Sequence, residues 1–125
     1  MPAYFNQTVY YGAVGDTLKA FRITDAKLAT TPSAQSANHF PYPGTTPSIS
    51  ANGTSNGIVW TVANSSPAVL YAYDATTLQE LYNSNQASNG RDHFGNGNKF
   101  ITPMIARGKV FIGTPDGVAE FGLLR

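Results

Sequence analysis

Apolar and polar positions alternate with a period of two along most of this chain, and turn-forming residues break the alternation at regular distances. Three stretches carry the pattern most clearly: "TVYYGAVGDTLKAFRI" from Thr8, "GIVWTVANSSPAVLYAYDA" from Gly57 and "GKVFIGTPDGVAEFGLL" from Gly108. Each reads as strand, short turn, strand. Aligned, Val9, Val59 and Val110 coincide, as do Tyr10, Trp60 and Phe111, and then Phe21, Tyr73 and Phe121, at a spacing of about 50 residues. The turns fall at "VGD" (Val14 to Asp16), "NSSP" (Asn64 to Pro67) and "TPDG" (Thr114 to Gly117), where Gly, Pro, Asn and Asp supply the dihedrals a reversal needs. The aromatic shared by the three units, Trp60 among them, reads as core between units.

A short apolar segment after a proline precedes each hairpin, at Pro2, Pro47 and Pro103, and gives a first strand. A fourth strand is predicted around Lys27 to Thr31 in unit one and around Glu80 to Ser84 in unit two. Unit three stops one strand short, so Phe121 to Leu124 is expected to form an apolar edge of the kind that pairs with other chains. No stretch shows helical apolar spacing with caps. The expected fold class is therefore all-β: β-propeller blades, about three four-stranded antiparallel repeats, the last one strand short. The blades run over about residues 2–35, 45–86 and 100–125, as parts of one partial propeller spanning 1–125.

Composition agrees with strands and turns and removes several function classes. Charged residues are 12% of the chain, against roughly 25% in an average soluble domain. Net charge is +1 and the eight Lys and Arg are scattered singly, so no basic stripe exists to track phosphates and no nucleic-acid partner is expected. No apolar run reaches the roughly 18 residues of a membrane span, and "MPAYFNQTVYYG" lacks the basic-then-apolar order of an export signal. With no Cys there is neither a disulfide framework nor a thiolate site.

The segment "AVLYAYDATTLQELYNSN", Ala68 to Asn85, resembles the repeat of the pyrroloquinoline-quinone-type propellers, with Tyr71, Ala72, Asp74, Ala75 and Thr76 on the pattern and Tyr82 at its closing aromatic. Together with "PYPGTTPSIS", "KFITP" and "GKVFIGT", the chain is similar to the C-terminal part of large secreted bacterial quinoprotein-like propellers. That resemblance implies an extracellular or cell-surface protein. Three departures point away from the enzymatic members: no Cys, about three blades where a closed ring takes four to eight, and Thr77 in place of the usual turn glycine. No cofactor, no metal and no catalytic residue is expected.

The expected function is thus a non-enzymatic structural or interaction module that completes its sheet or ring with further repeats or with other subunits. The expected partners are a second copy or the remainder of a longer propeller, and self-association follows. One alternative is a piece of a quinone-dependent oxidoreductase or other propeller enzyme; another is a carbohydrate-binding module, with a glycan or a peptide as ligand.

Candidate ligand contacts are His39, Phe40, Tyr42, Arg91, Asp92, His93 and Phe94. The Arg91–Asp92–His93 run in "SNGRDHFGNGNKF" offers an acid/base pair or an anion contact, although neighbours in extended chain point opposite ways. Its structural reading has Asp92 accepting backbone N–H bonds in a turn and Arg91 paired nearby. His39 lies one repeat earlier, in the connection expected between units one and two; with His93 and Asp92 it would be the donor set for a metal, and two distant His being a weak signal, a solvated loop is the favoured reading. Phe40, Tyr42 and Phe94 could stack on a sugar ring or plug the seam between units.

Overall fold

The computed structural model describes residues 1–123 as three antiparallel sheets with almost no helix. Sheet 1 contains β1 (Ala3–Phe5), β2 (Thr8–Gly12), β3 (Thr17–Thr24), β4 (Lys27–Leu28) and β5 (Ala34–His39). Sheet 2 contains β6 (Ser48–Asn52), β7 (Ser55–Ala63), β8 (Val69–Asp74) and β9 (Glu80–Asn83). Sheet 3 contains β10 (Met104–Ala106), β11 (Lys109–Thr114) and β12 (Gly117–Phe121). A single turn of 3-10 helix, Ser88–Gly90, lies between sheets 2 and 3.

Register confirms the aligned positions. Val9 faces Phe21, Val59 faces Tyr73 and Val110 faces Phe121 across their hairpins. The reason is local: each turn is short, so its length fixes the pairing, and a slip of one residue would turn every apolar side chain to the wrong face.

Alternation then builds a stack with sheet 2 in the middle. Val59, Ala63, Val69 and Tyr73 of sheet 2 pack against Tyr10, Leu18 and Ala20 of sheet 1. The intervening positions, Trp60, Val62 and Leu70, pack against Val110, Ile112 and Phe121 of sheet 3. Sheet 2 is therefore buried on both faces, which is why β8 reads as a nearly continuous apolar run. The first strands adjoin, β1 beside β6 and β6 beside β10. Tyr10 and Trp60 lie in the two seams as expected, whereas Phe111 is half-buried on the outer face of sheet 3, which no further sheet covers among the described residues.

The fourth strand of sheet 1 differs from its expected place. Asp25 and Ala26 both take left-handed backbone (φ 50° and 59°), so the chain reverses at once and Lys27–Leu28 forms only a two-residue strand. The long partner of β3 is β5, which begins at Ala34 and ends at His39. His39 is thus opposite Thr17 in a strand and not in a connection. Its segment, "AQSANH", escapes an apolar-periodicity reading because only Ser36 in it is fully buried, Ala34 and Asn38 are half-buried and Gln35, Ala37 and His39 are exposed.

At the other end, Phe121 is half-buried in the seam, and Gly122 and Leu123 are exposed. Leu124, the last residue of the expected apolar edge, lies outside the described residues.

Candidate functional site

β12 pairs with β11 on one side only; among the described residues no strand lies along its other side. Sheets 1 and 2 each carry a strand at that place, β5 and β9. The open side forms a groove of about 1240 Å³ with β12 as one wall and the chain from Arg91 to Phe94 as the other, lined also by Tyr82, Val118 and Phe121. A row of free backbone donors and acceptors beside apolar side chains is the chemistry that takes an extended peptide.

The opposite wall is held by one carboxylate. Arg91 donates to Asp92 through Nε at 2.6 Å and Nη2 at 2.9 Å, and the Tyr82 hydroxyl donates to the same carboxylate at 2.7 Å. These donors hold the Asp92 carboxyl at about 2, the Arg91 guanidinium being the larger cause; burial, with Asp92 beside it, raises Tyr82. Adjacent residues can pair here because the backbone is not extended. Asn89 and Gly90 are left-handed (φ 58° and 64°) and Arg91 is helical (φ −52°), which curls the chain so that both side chains fall on one side. Asp92 accordingly accepts side-chain donors and not the turn amides of the structural reading. His93 packs against Gly90, where an added Cβ would come within 2.8 Å of Nδ1, and is exposed.

The aromatic candidates are dispersed. Phe40 is 0% exposed and meets Tyr71 edge-on at 6.0 Å, in the seam between sheets 1 and 2. Phe94 meets Phe121 edge-on at 5.6 Å in the seam between sheets 2 and 3. His39–Phe40 and His93–Phe94 are thus one repeated dipeptide whose phenylalanine seals a seam. Tyr42 is 57% exposed, edge-on to Phe100 at 6.3 Å, with Lys99 Nζ 5.3 Å from its ring centroid. Phe40, Tyr42 and Phe94 therefore do not form one sugar platform, and Lys99 and Phe100, Tyr42's real neighbours, were not among the expected residues. His39, His93 and Asp92 do not gather: among the described residues no three His, Cys, Asp or Glu side chains form a metal-binding group.

Missed altogether by sequence reading were the β12 edge residues Val118, Ala119 and Glu120, whose role comes from a strand that is not beside them. The one signal available was the strand count of unit three. On the outer face of sheet 3, Glu120 occupies the position of Ala20 and Ala72 and forms an ion pair with Lys109.

The chain is similar in structure to the computationally designed Ika4 protein, whose crystal structure it matches with a TM-score of 0.63 and 21% identity over 98% of its length. It spans 64% of that protein, and the likeness bears on the fold alone. No family model and no curated protein matches the chain. In the described residues, no helix is long and apolar enough to cross a membrane.

Proposed function

We propose that the three sheets are blades of a quinoprotein-like β-propeller, and that the chain is a non-enzymatic structural or interaction module of a secreted or surface-exposed protein. It completes sheet 3 by pairing the β12 edge with a strand from further repeats or from another subunit. One observation carries this reading: β12 is the only third strand of the three that lacks an outer partner among the described residues, and its open side is a groove and not a proline-blocked edge. The adjoining first strands and the repeated aromatic seams support the blade assignment.

Sedimentation of the chain across the micromolar range tests the reading. The mass is expected to rise above the 13.3 kDa monomer with concentration. Val118→Pro, which removes a donor on the open side of β12 and spares the β11 ladder, is expected to restore the monomer. A wild-type chain that stays at 13.3 kDa throughout overturns self-pairing through this edge.

A further inference from the structure

The two complete sheets finish their outer strand with the same device. In sheet 1, Ser36 is 2% exposed and its Oγ accepts the Leu18 backbone N–H at 3.0 Å. In sheet 2, Ser84 is 0% exposed; its Oγ accepts the Leu70 N–H at 3.1 Å, and its own N–H donates to the Leu70 carbonyl at 3.0 Å. Leu18 and Leu70 hold one register position, opposite Gly12 and Val62 respectively.

A hydroxyl is needed there because the outer strand leaves regular pairing at that point. β5 shifts register between the pairs at Thr17 and Lys19, and β9 ends at Asn83. The leucine amide takes the serine oxygen in place of a strand carbonyl, and a buried amide left without an acceptor is strongly destabilising. Serine is short enough to return its own oxygen to the gap. The residue before it is alike too, Gln35 opposite Lys19 and Asn83 opposite Tyr71.

Val118 is the third member of the set, opposite Gly113. Leu18 and Leu70 are 0% exposed, whereas Val118 is 68% exposed and lines the groove from the outer face of sheet 3. By the same register its N–H and carbonyl point away from β11, as do those of Glu120.

We infer that the groove takes an extended polypeptide strand, antiparallel to β12, that carries Asn or Gln followed by Ser or Thr, with the amide opposite Ala119 and the hydroxyl opposite Val118. The hydroxyl accepts the Val118 N–H, which has no acceptor from β11. This rests on the strand-completion reading above and adds to it what the strand must contain.

The test titrates two synthetic peptides into the isotopically labelled full chain: the segment 79–86, "QELYNSNQ", and the same peptide bearing S84V. The first is expected to shift the Val118 and Glu120 amide resonances and slow their hydrogen exchange. The second is expected to bind about five-fold more weakly, as the loss of the hydrogen bond to the Val118 amide requires. Equal binding of both peptides at β12 overturns the hydroxyl requirement while leaving strand completion standing. If the wild-type segment does not perturb Val118 or Glu120, the inference itself is overturned; sedimentation of the chain without peptide decides separately whether the broader reading falls with it.

Discussion

The Tyr10 hydroxyl, on β2, donates a 2.6 Å hydrogen bond to the carbonyl of Ala75, sixty-five residues away beyond the end of β8, and so ties sheet 1 to sheet 2. Both residues are buried, Tyr10 at 2% exposure and Ala75 at 4%. Tyr10→Phe keeps the ring and strands the carbonyl, so stability is expected to fall by about 1–3 kcal/mol. Urea unfolding reads this as a lower midpoint at unchanged slope. An unchanged midpoint would mean the bond contributes nothing to the seam.

The paired seam residues give a graded prediction. Phe40 is fully enclosed, and Phe40→Ala is expected to cost about 3–5 kcal/mol by leaving a cavity against Tyr71. Phe94 is half-buried because its seam opens into the groove, and its truncation is expected to cost less. Thermal unfolding of the two variants settles the order, and a reversal would contradict the assignment of the groove as the open seam.

Acid should loosen the Arg91–Asp92–Tyr82 wall. The Asp92 carboxyl lies at about 2 in the folded chain against an ordinary 3.8, so its contribution is fully present above about pH 4 and is lost as pH falls towards 2, where the folded form also takes up the proton. Asp16 and Asp74 are also lowered, so the informative quantity is the difference between wild type and Asp92→Asn. That difference is expected to shrink as pH drops from 4 to 2. A difference constant with pH would mean that Asp92 acts by shape and not by charge.

Two glycines with similar backbone separate conformational from steric cost. Gly44 has φ +82°, and a Cβ there would come within 2.6 Å of the Gly12 carbonyl oxygen, beside the point where Thr45 pairs with Gly12. Gly15 has φ +72° with nothing within 4 Å. Gly15→Ala is expected to cost about 1 kcal/mol, and Gly44→Ala clearly more, about 2–4 kcal/mol, because the neighbour is backbone. Chemical denaturation of the two variants checks the ranking.

The hairpins were legible because both of their faces, or at least one, are buried: Val59 and Tyr73 advertise themselves through alternation, and "TPDG" through turn chemistry. β5 was not, because an outermost strand keeps one wet edge and "AQSANH" buries only a serine. That Arg91 pairs with a nearby carboxylate was legible, but not that the carboxylate is Asp92 beside it, since the geometry depends on Asn89 adopting left-handed backbone, which an asparagine permits but does not dictate. For Phe40 and Phe94 the sequence left a seam role and a ligand role open. Only packing could choose between those roles, and it puts both rings in seams.

Each sheet in the stack turns its Val9, Val59 or Val110 side towards one end and its Tyr10, Trp60 or Phe111 side towards the other. The two outermost surfaces are consequently unlike, one bearing Val9, Tyr11 and Phe21 and the other Phe111, Val118 and the Lys109–Glu120 pair. A contact that joins one to the other is directional, like a plug and a socket, so it repeats in a single sense. Curvature alone then decides between a closed circle of copies and an endless one.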